Sequence, residues 1–170
     1  SVASVMIGRD IHDIRHMRSM LFNDFSIKRT TVDMFSVISA LEIASWDIVG
    51  KECGQPVYNL LGGRHRERVR TYANGWWKGA NTIDETVKRV VALKEEGWNA
   101  AKWDPFRGPW REQLTRAEED YAVENIKAVR EAVGRDFDLL IEVHRRLSPY
   151  NAIHFARRIE EFDPFVLEEP

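Results

Sequence analysis

Asp138-Leu139-Leu140-Ile141-Glu142-Val143-His144 carries the clearest structural signal in this chain. Leu139, Leu140 and Ile141 form a continuous apolar run of the kind found in buried strands, and the run turns polar only at its carboxyl end. A strand is expected over Asp138 to Val143. Successive side chains of a strand alternate faces, so Glu142 and His144 are expected on one face, one pleat apart. A second strand end, Leu167-Glu168-Glu169-Pro170, is acidic in the same way. Carboxylates ending neighbouring strands can share a hard divalent cation. A titratable imidazole beside them suits metal-assisted acid/base chemistry on a carboxylate substrate. Glu and His also occur at the ends of strands with no such role, so the remainder of the chain has to support this reading.

The surrounding pattern does so. Val69 to Ala73, Ala100 to Trp103 and Phe165 to Leu167 read as three more strands. Between them lie helical segments opened by cap patterns: Thr82-Ile83-Asp84-Glu85, Thr115-Arg116-Ala117-Glu118, and Ser148 followed by Pro149. These helices are expected to end at Gly97, at Gly134 and near Phe162. Strands alternating with helices imply parallel pairing through crossover connections. Four strands and three helices make half of a (β/α)8 barrel, and an open doubly wound sheet is the alternative. A half barrel leaves an unpaired edge and an open core, so the chain is expected to be a piece of a longer protein.

Before Val69 the chain reads as helical. Ile14, Met17, Met20 and Leu21 give residues 11–25 one apolar face. Thr30 or Thr31 then opens a longer helix carrying Val37, Ile38, Leu41, Ile48 and Val49, with Gly50 as the expected stop. Pro56 starts a brief helical turn ended by Gly62 and Gly63.

Composition narrows the function classes. Hydrophobic residues at 44% and charged residues at 31% describe a globular chain rather than a disordered one. The net charge of −2, with both signs interspersed, makes no case for a nucleic-acid partner. No apolar run approaches the roughly 20 residues that span a bilayer, and no signal peptide is legible, so no membrane partner and a cytoplasmic location are expected. The single cysteine, Cys53, excludes an internal disulfide and fits a reducing compartment.

In a barrel, active sites gather at the carboxyl ends of the strands. Those ends carry, in order, Tyr72 and Asn74, Lys102 and Asp104, Glu142 and His144, and Glu168. Three pairs at i, i+2 spacing and a further carboxylate are hard to explain by folding alone. Structural roles remain open for several of them. Lys102 and Asp104 could form a rim ion pair, Asn74 could shape the turn before Gly75, and Trp76 and Trp77 could pack on the barrel top. Arg145 and Arg146 could be solvated. Glu169 is expected on the face opposite Glu168, as a hydrogen-bond acceptor behind the site.

Ala40-Leu41-Glu42-Ile43-Ala44-Ser45-Trp46-Asp47-Ile48-Val49-Gly50-Lys51, followed by Gly54-Gln55-Pro56-Val57-Tyr58-Asn59-Leu60-Leu61-Gly62-Gly63, resembles the mandelate racemase and muconate lactonizing branch of the enolase superfamily. Residues 167–170 resemble that family's second metal-ligand motif, and Glu142 falls where the first ligand belongs. The resemblance implies an α/β chain with two parts. Residues 1–62 would be the carboxyl-terminal helical part of an α+β capping domain, and residues 63–170 the first half of a TIM-like (β/α)8 barrel. Members of racemase or lactonizing type carry Lys-x-Lys at the end of the second barrel strand, whereas this chain has Lys102-Trp103-Asp104. His144 with Arg146 resembles the acid-sugar dehydratases acting on galactonate, gluconate and mannonate. Their motif usually has Asp where this chain has Glu142, and Arg145 replaces the glycine of the galactonate type.

The resemblance therefore implies a Mg²⁺-dependent dehydratase of a sugar acid, a small-molecule substrate. It would remove the C2 proton and eliminate the C3 hydroxyl to give a 2-keto-3-deoxy acid. Mg²⁺ stabilises the ene-diolate formed on proton loss, and the hydroxyl leaves as water only if it is protonated. Glu142 and Glu168 are expected as metal ligands, and His144 as the general acid. Lys102 is expected to neutralise carboxylate charge in the catalytic centre. Asp104, Arg146, Tyr72, Asn74 and Trp76 are expected to bind substrate. The C2 base and the third metal carboxylate would lie beyond Pro170. A homo-oligomer is expected. The alternatives are an epimerase or racemase of the same superfamily, or a non-catalytic member.

Overall fold

The computed structural model describes residues 2–26, 32–108 and 114–170, and the chain divides into two compact units, residues 1–69 and 70–170. The first unit is helical: α1 (Val2–Met6), α2 (Ile14–Leu21), a wide π-helical turn over Phe22–Ser26, α3 (Val32–Glu52) and α4 (Val57–Leu60). As the apolar spacing requires, α2 buries Ile14, Met17 and Leu21. An ion pair from Arg18 to Glu42, at 3.1 Å, ties α2 to α3. The expected start of α3 at Thr30 or Thr31 lies outside the described residues. Along α3 Ile38 is buried, whereas Val37 and Ile48 are exposed.

Gly50 does not stop α3, which continues to Glu52. Its role is close approach. The Gln55 backbone N–H donates to the Gly50 carbonyl at 2.9 Å, and a Cβ at Gly50 would sit 2.8 Å from the Gln55 carbonyl oxygen. A backbone atom cannot move aside as a flexible side chain can. Gly50→Ala is therefore expected to destabilise the protein by about 1–3 kcal/mol, the usual range for overpacking. Chemical denaturation would report it as a lower midpoint, and an unchanged midpoint would remove this packing role.

The second unit alternates helix and strand: α5 (Ile83–Glu95), β1 (Ala100–Trp103), α6 (Arg116–Val133), β2 (Asp138–Glu142), α7 (Pro149–Ile159) with a 3₁₀ turn over Glu160–Phe162, and β3 (Val166–Glu168). The strands form one parallel sheet in the order β1-β2-β3. Trp103 lies opposite Ile141, and Glu142 opposite Glu168. The caps mostly follow their patterns. Thr115 and Glu118 form both bonds of a capping box, and Ser148 accepts from the Asn151 N–H with Pro149 in the first turn. At α5, Thr82 accepts from the Glu85 N–H, but Glu85 returns its carboxylate to the Asn81 N–H at 2.6 Å instead of to the cap residue.

The expected strand over Val69 to Ala73 is reduced to a single bridge between Ala73 and Ala101. Two backbone bonds of 2.9 Å make it, Ala73 N–H to the Ala100 carbonyl and Lys102 N–H to the Ala73 carbonyl. This segment pairs on one side only and Val69 is exposed. With Val69 and Tyr72 exposed, little apolar burial supports a longer ladder here.

One face of the sheet carries the core. Ala101, Trp103, Leu139, Ile141 and Val143 pack against Val90, Ile126, Val129, Val133, Phe155 and Ile159 from the helices. The Trp103 indole donates to the buried Asn125 Oδ1 at 3.0 Å, so its one polar atom is satisfied. Arg130 fastens the end of α6 to the loops around β2 and β3 by donating to the carbonyls of Gly134, Phe137, Phe162 and Asp163. Alternation sends Lys102, Leu140, Glu142 and Glu168 to the other face, away from these helices. Among the described residues no helix is long and apolar enough to cross a membrane.

Candidate functional site

Three paired strands bring three charged groups to one point. The Lys102 ammonium lies 2.9 Å from Glu142 Oε2 and 2.8 Å from Glu168 Oε2. Glu142 and Glu168 are register partners at the carboxyl ends of β2 and β3, and Lys102 reaches them from β1. The Lys102 and Glu142 side chains are only 10% and 6% exposed. Tyr72 places its ring 5.6 Å from the Lys102 ammonium. Burial works against the charged form of Lys102, but the hydrogen bonds to Glu168 and Glu142 outweigh it and hold its pKa well above the usual lysine range. Burial likewise opposes ionised Glu142. The Lys102 ammonium and the His144 backbone N–H prevail and hold that carboxyl below its ordinary value. In this arrangement the two carboxylates hold Lys102 in its cationic form.

A second group lies on the adjoining loops. His144 Nδ1 is 3.2 Å from Asp104 Oδ2, and the Arg146 guanidinium pairs with the same oxygen. Asp104 Oδ1 accepts from the Phe106 N–H at 2.9 Å. Arg146 also donates to the Val143 carbonyl at 2.9 Å and lies 4.9 Å over the Phe106 ring. Glu142 touches both groups: its Oε2 meets Lys102, while its Oε1 accepts from the His144 N–H at 2.9 Å.

His144 does not arrive by strand alternation. β2 ends at Glu142, and His144 and Arg145 both take left-handed backbone angles, with φ of 56° and 59°. Two consecutive non-glycine residues of this kind cost about 1–2 kcal/mol each. The His144 N–H bond to Glu142 and a 2.7 Å bond from the Arg145 N–H to the Glu169 carbonyl help to hold them. Glu169 is left-handed as well, so the alternation argument fails there too, and its carboxylate meets the exposed Arg145 at 3.4 Å.

Asn74 and Trp76 stand apart from this cluster. Asn74 is exposed and its Oδ1 accepts from the Gly75 N–H at 2.8 Å, a turn-forming bond. The Trp76 indole donates to the Lys102 carbonyl at 2.9 Å and its ring tilts against Trp103, so it braces the strand that carries Lys102. Trp77 packs against the core. Phe106 was not legible as a site residue. Its signal was Asp104-Pro105, since an Asp that accepts from the N–H two residues on is a common turn device.

Two carboxylates from paired strands already meet one cationic group here, and hard oxygen donors in that arrangement fit a divalent ion such as Mg²⁺. The set is incomplete, because among the described residues no three His, Cys, Asp or Glu side chains are placed to hold a metal.

Comparison with known proteins agrees with this architecture. Residues 85–170 match the family described as enolase C-terminal domain-like. Residues 1–62 match the mandelate racemase / muconate lactonizing enzyme N-terminal domain. A D-gluconate/D-galactonate dehydratase of Picrophilus torridus is 39% identical over 156 residues, covering 92% of this chain and 39% of that protein. A D-gluconate dehydratase of Thermoproteus tenax is 40% identical over 172 residues, covering 99% and 34%. The solved mandelate racemase/muconate lactonizing enzyme of Jannaschia sp. CCS1 superposes with a TM-score of 0.88 at 29% identity, covering 99% of this chain and 47% of that one. The chain therefore spans less than half the length of these relatives.

Proposed function

This chain belongs to the mandelate racemase and muconate lactonizing branch of the enolase superfamily, and from that premise we propose that it supplies the first half of the active site of a Mg²⁺-dependent sugar acid dehydratase. In this reading residues 1–62 are the helical end of the capping domain, and residues 63–170 begin the barrel. The observation that carries the proposal is the meeting of Glu142 and Glu168 at paired strand ends, with the Asp104, His144 and Arg146 cluster directly beside Glu142. Enolase superfamily members typically use a divalent metal ion. Glu142 and Glu168 would hold it here, together with a carboxylate from outside this chain. The bound ion would supply charge neutralisation for a substrate carboxylate and for the negative charge that develops on proton loss.

The chain's own residues divide the remaining work. Lys102 compensates carboxylate charge at the ligands. Its ammonium lies between their side chains, 2.9 Å from Glu142 and 2.8 Å from Glu168. His144 is the general acid that protonates the departing C3 hydroxyl. Tyr72 lies over the Lys102 ammonium at the rim and is placed to bound a substrate there. The C2 base comes from elsewhere in the barrel. A sugar acid of the gluconate or galactonate class is favoured by the relatives named above.

A panel of C6 sugar acids, incubated with Mg²⁺ and the protein that carries the whole barrel, tests this directly. Appearance of a 2-keto-3-deoxy acid from one of them is the expected result. C2 proton exchange with no keto acid would instead favour an epimerase, and neither activity with metal bound would favour a binding role.

A further inference from the structure

Resting on the reading of His144 as the general acid, we infer that Asp104 does not bind substrate but is the positioning residue for that histidine, fixing which ring nitrogen delivers the proton. The geometry of Asp104 points this way. Both of its oxygens are taken by the protein: Oδ1 by the Phe106 N–H at 2.9 Å, and Oδ2 by Arg146 and by His144 Nδ1 at 3.2 Å. Its side chain is 13% exposed and that of Arg146 4%, whereas that of His144 is 39% exposed. The carboxylate is the enclosed partner, and the imidazole is the one that can meet a ligand. Asp104 is held independently of His144, because Arg146 is itself fixed by the Val143 carbonyl and by the Phe106 ring.

A carboxylate accepts only, so the His144 nitrogen facing it must carry hydrogen. The neutral ring is then the Nδ1–H tautomer, and Nε2 is the nitrogen that gains and gives the proton. During elimination the electron pair left by the C2 proton forms the C2–C3 double bond and the C3–O bond breaks. The Nε2 proton passes to the departing oxygen, which leaves as water. The ring returns to its Nδ1–H form with the Asp104 bond intact. His144 also sits in a left-handed backbone conformation, so its ring position is not supplied by strand geometry and needs a side-chain anchor. Asp104→Asn can keep its amide oxygen toward His144 and Arg146 only by turning its NH₂ to the Phe106 N–H, donor against donor, so it holds the ring less firmly than the carboxylate does.

The test uses the protein with the whole barrel, labelled with ¹⁵N-histidine, with His144 assigned by its loss in His144→Asn. The neutral parent ring is expected to give the Nδ1–H pattern in long-range ¹H–¹⁵N spectra. Asp104→Ala is expected to lose that pattern and to slow keto-acid formation by about 10²-fold, the lower part of the range for a positioned acid, and Asp104→Asn, which retains one accepting oxygen, to weaken the pattern and slow the reaction less. C2 proton exchange should stay measurable. A parent ring in the Nε2–H form, or an unchanged tautomer in both variants, would overturn the inference. So would a raised KM with unchanged kcat, which would make Asp104 a substrate ligand. If the parent dehydrates no sugar acid, the proposed function fails while the tautomer measurement still decides the role of Asp104.

Discussion

Glu142→Gln and Glu168→Gln, made in the protein with the whole barrel, are each expected to reduce Mg²⁺ affinity and turnover together. The loss should exceed the roughly 10–100-fold that follows removal of a hydrogen bond behind a metal ligand, because a neutral amide replaces a charged oxygen donor at the ion itself. Isothermal titration with Mg²⁺ alone reads the affinity without relying on catalysis. The two variants should differ in stability. Glu142 is buried and its carboxylate also accepts from the His144 N–H. Both variants leave Lys102 with one charged partner, but Glu142→Gln also weakens the anchor of the left-handed turn and should therefore lower the thermal midpoint more. Mg²⁺ affinity unchanged in both variants would end the assignment of these residues as ligands.

His144→Asn is expected to slow dehydration by roughly 10²–10⁴-fold, the usual worth of a positioned acid, while exchange of the C2 proton with solvent persists. The asymmetry follows from geometry. His144 lies at the carboxyl end of β2 beside Glu142, and the proposed base is in a different part of the barrel, so on this proposal removing His144 should leave proton abstraction in place. Proton-exchange NMR in deuterated buffer, run beside a keto-acid assay, separates the two steps. Dehydration at the parent rate would make His144 structural. Loss of both exchange and dehydration, with metal binding intact, would make it the base.

The order of elements was open to sequence reading because it rests on local physics. A three-residue apolar run, a capping pair at Thr115 and Glu118, and Ser148 before Pro149 each act within one turn or one strand, and each element formed where expected. Gly50 illustrates the limit. A glycine near a helix end reads as a stop, but its use here is to admit the Gln55 carbonyl, and that contact exists only once the chain has folded back. The reduced strand before Ala73 has the same cause, since strand propensity forms a ladder only where tertiary packing buries the strand, and Val69 and Tyr72 are exposed.

Of the residues that meet at the strand ends, Lys102, Asp104, Glu142, His144 and Glu168 could be named from sequence because parallel strands with helical crossovers deliver their carboxyl ends to one rim, whereas Arg146 was named only through the family resemblance. Their partners could not. That Lys102 bridges two carboxylates depends on the register of β2 against β3, and that Asp104 belongs to His144 and Arg146 depends on the turns after the strands. His144 and Glu169 were expected to obey strand alternation, and both lie beyond a strand end in left-handed conformations. Period-two reasoning holds only while the ladder lasts. Past it, side-chain direction is set by tertiary bonds, such as that from the Arg145 N–H to the Glu169 carbonyl, which join residues far apart in the chain.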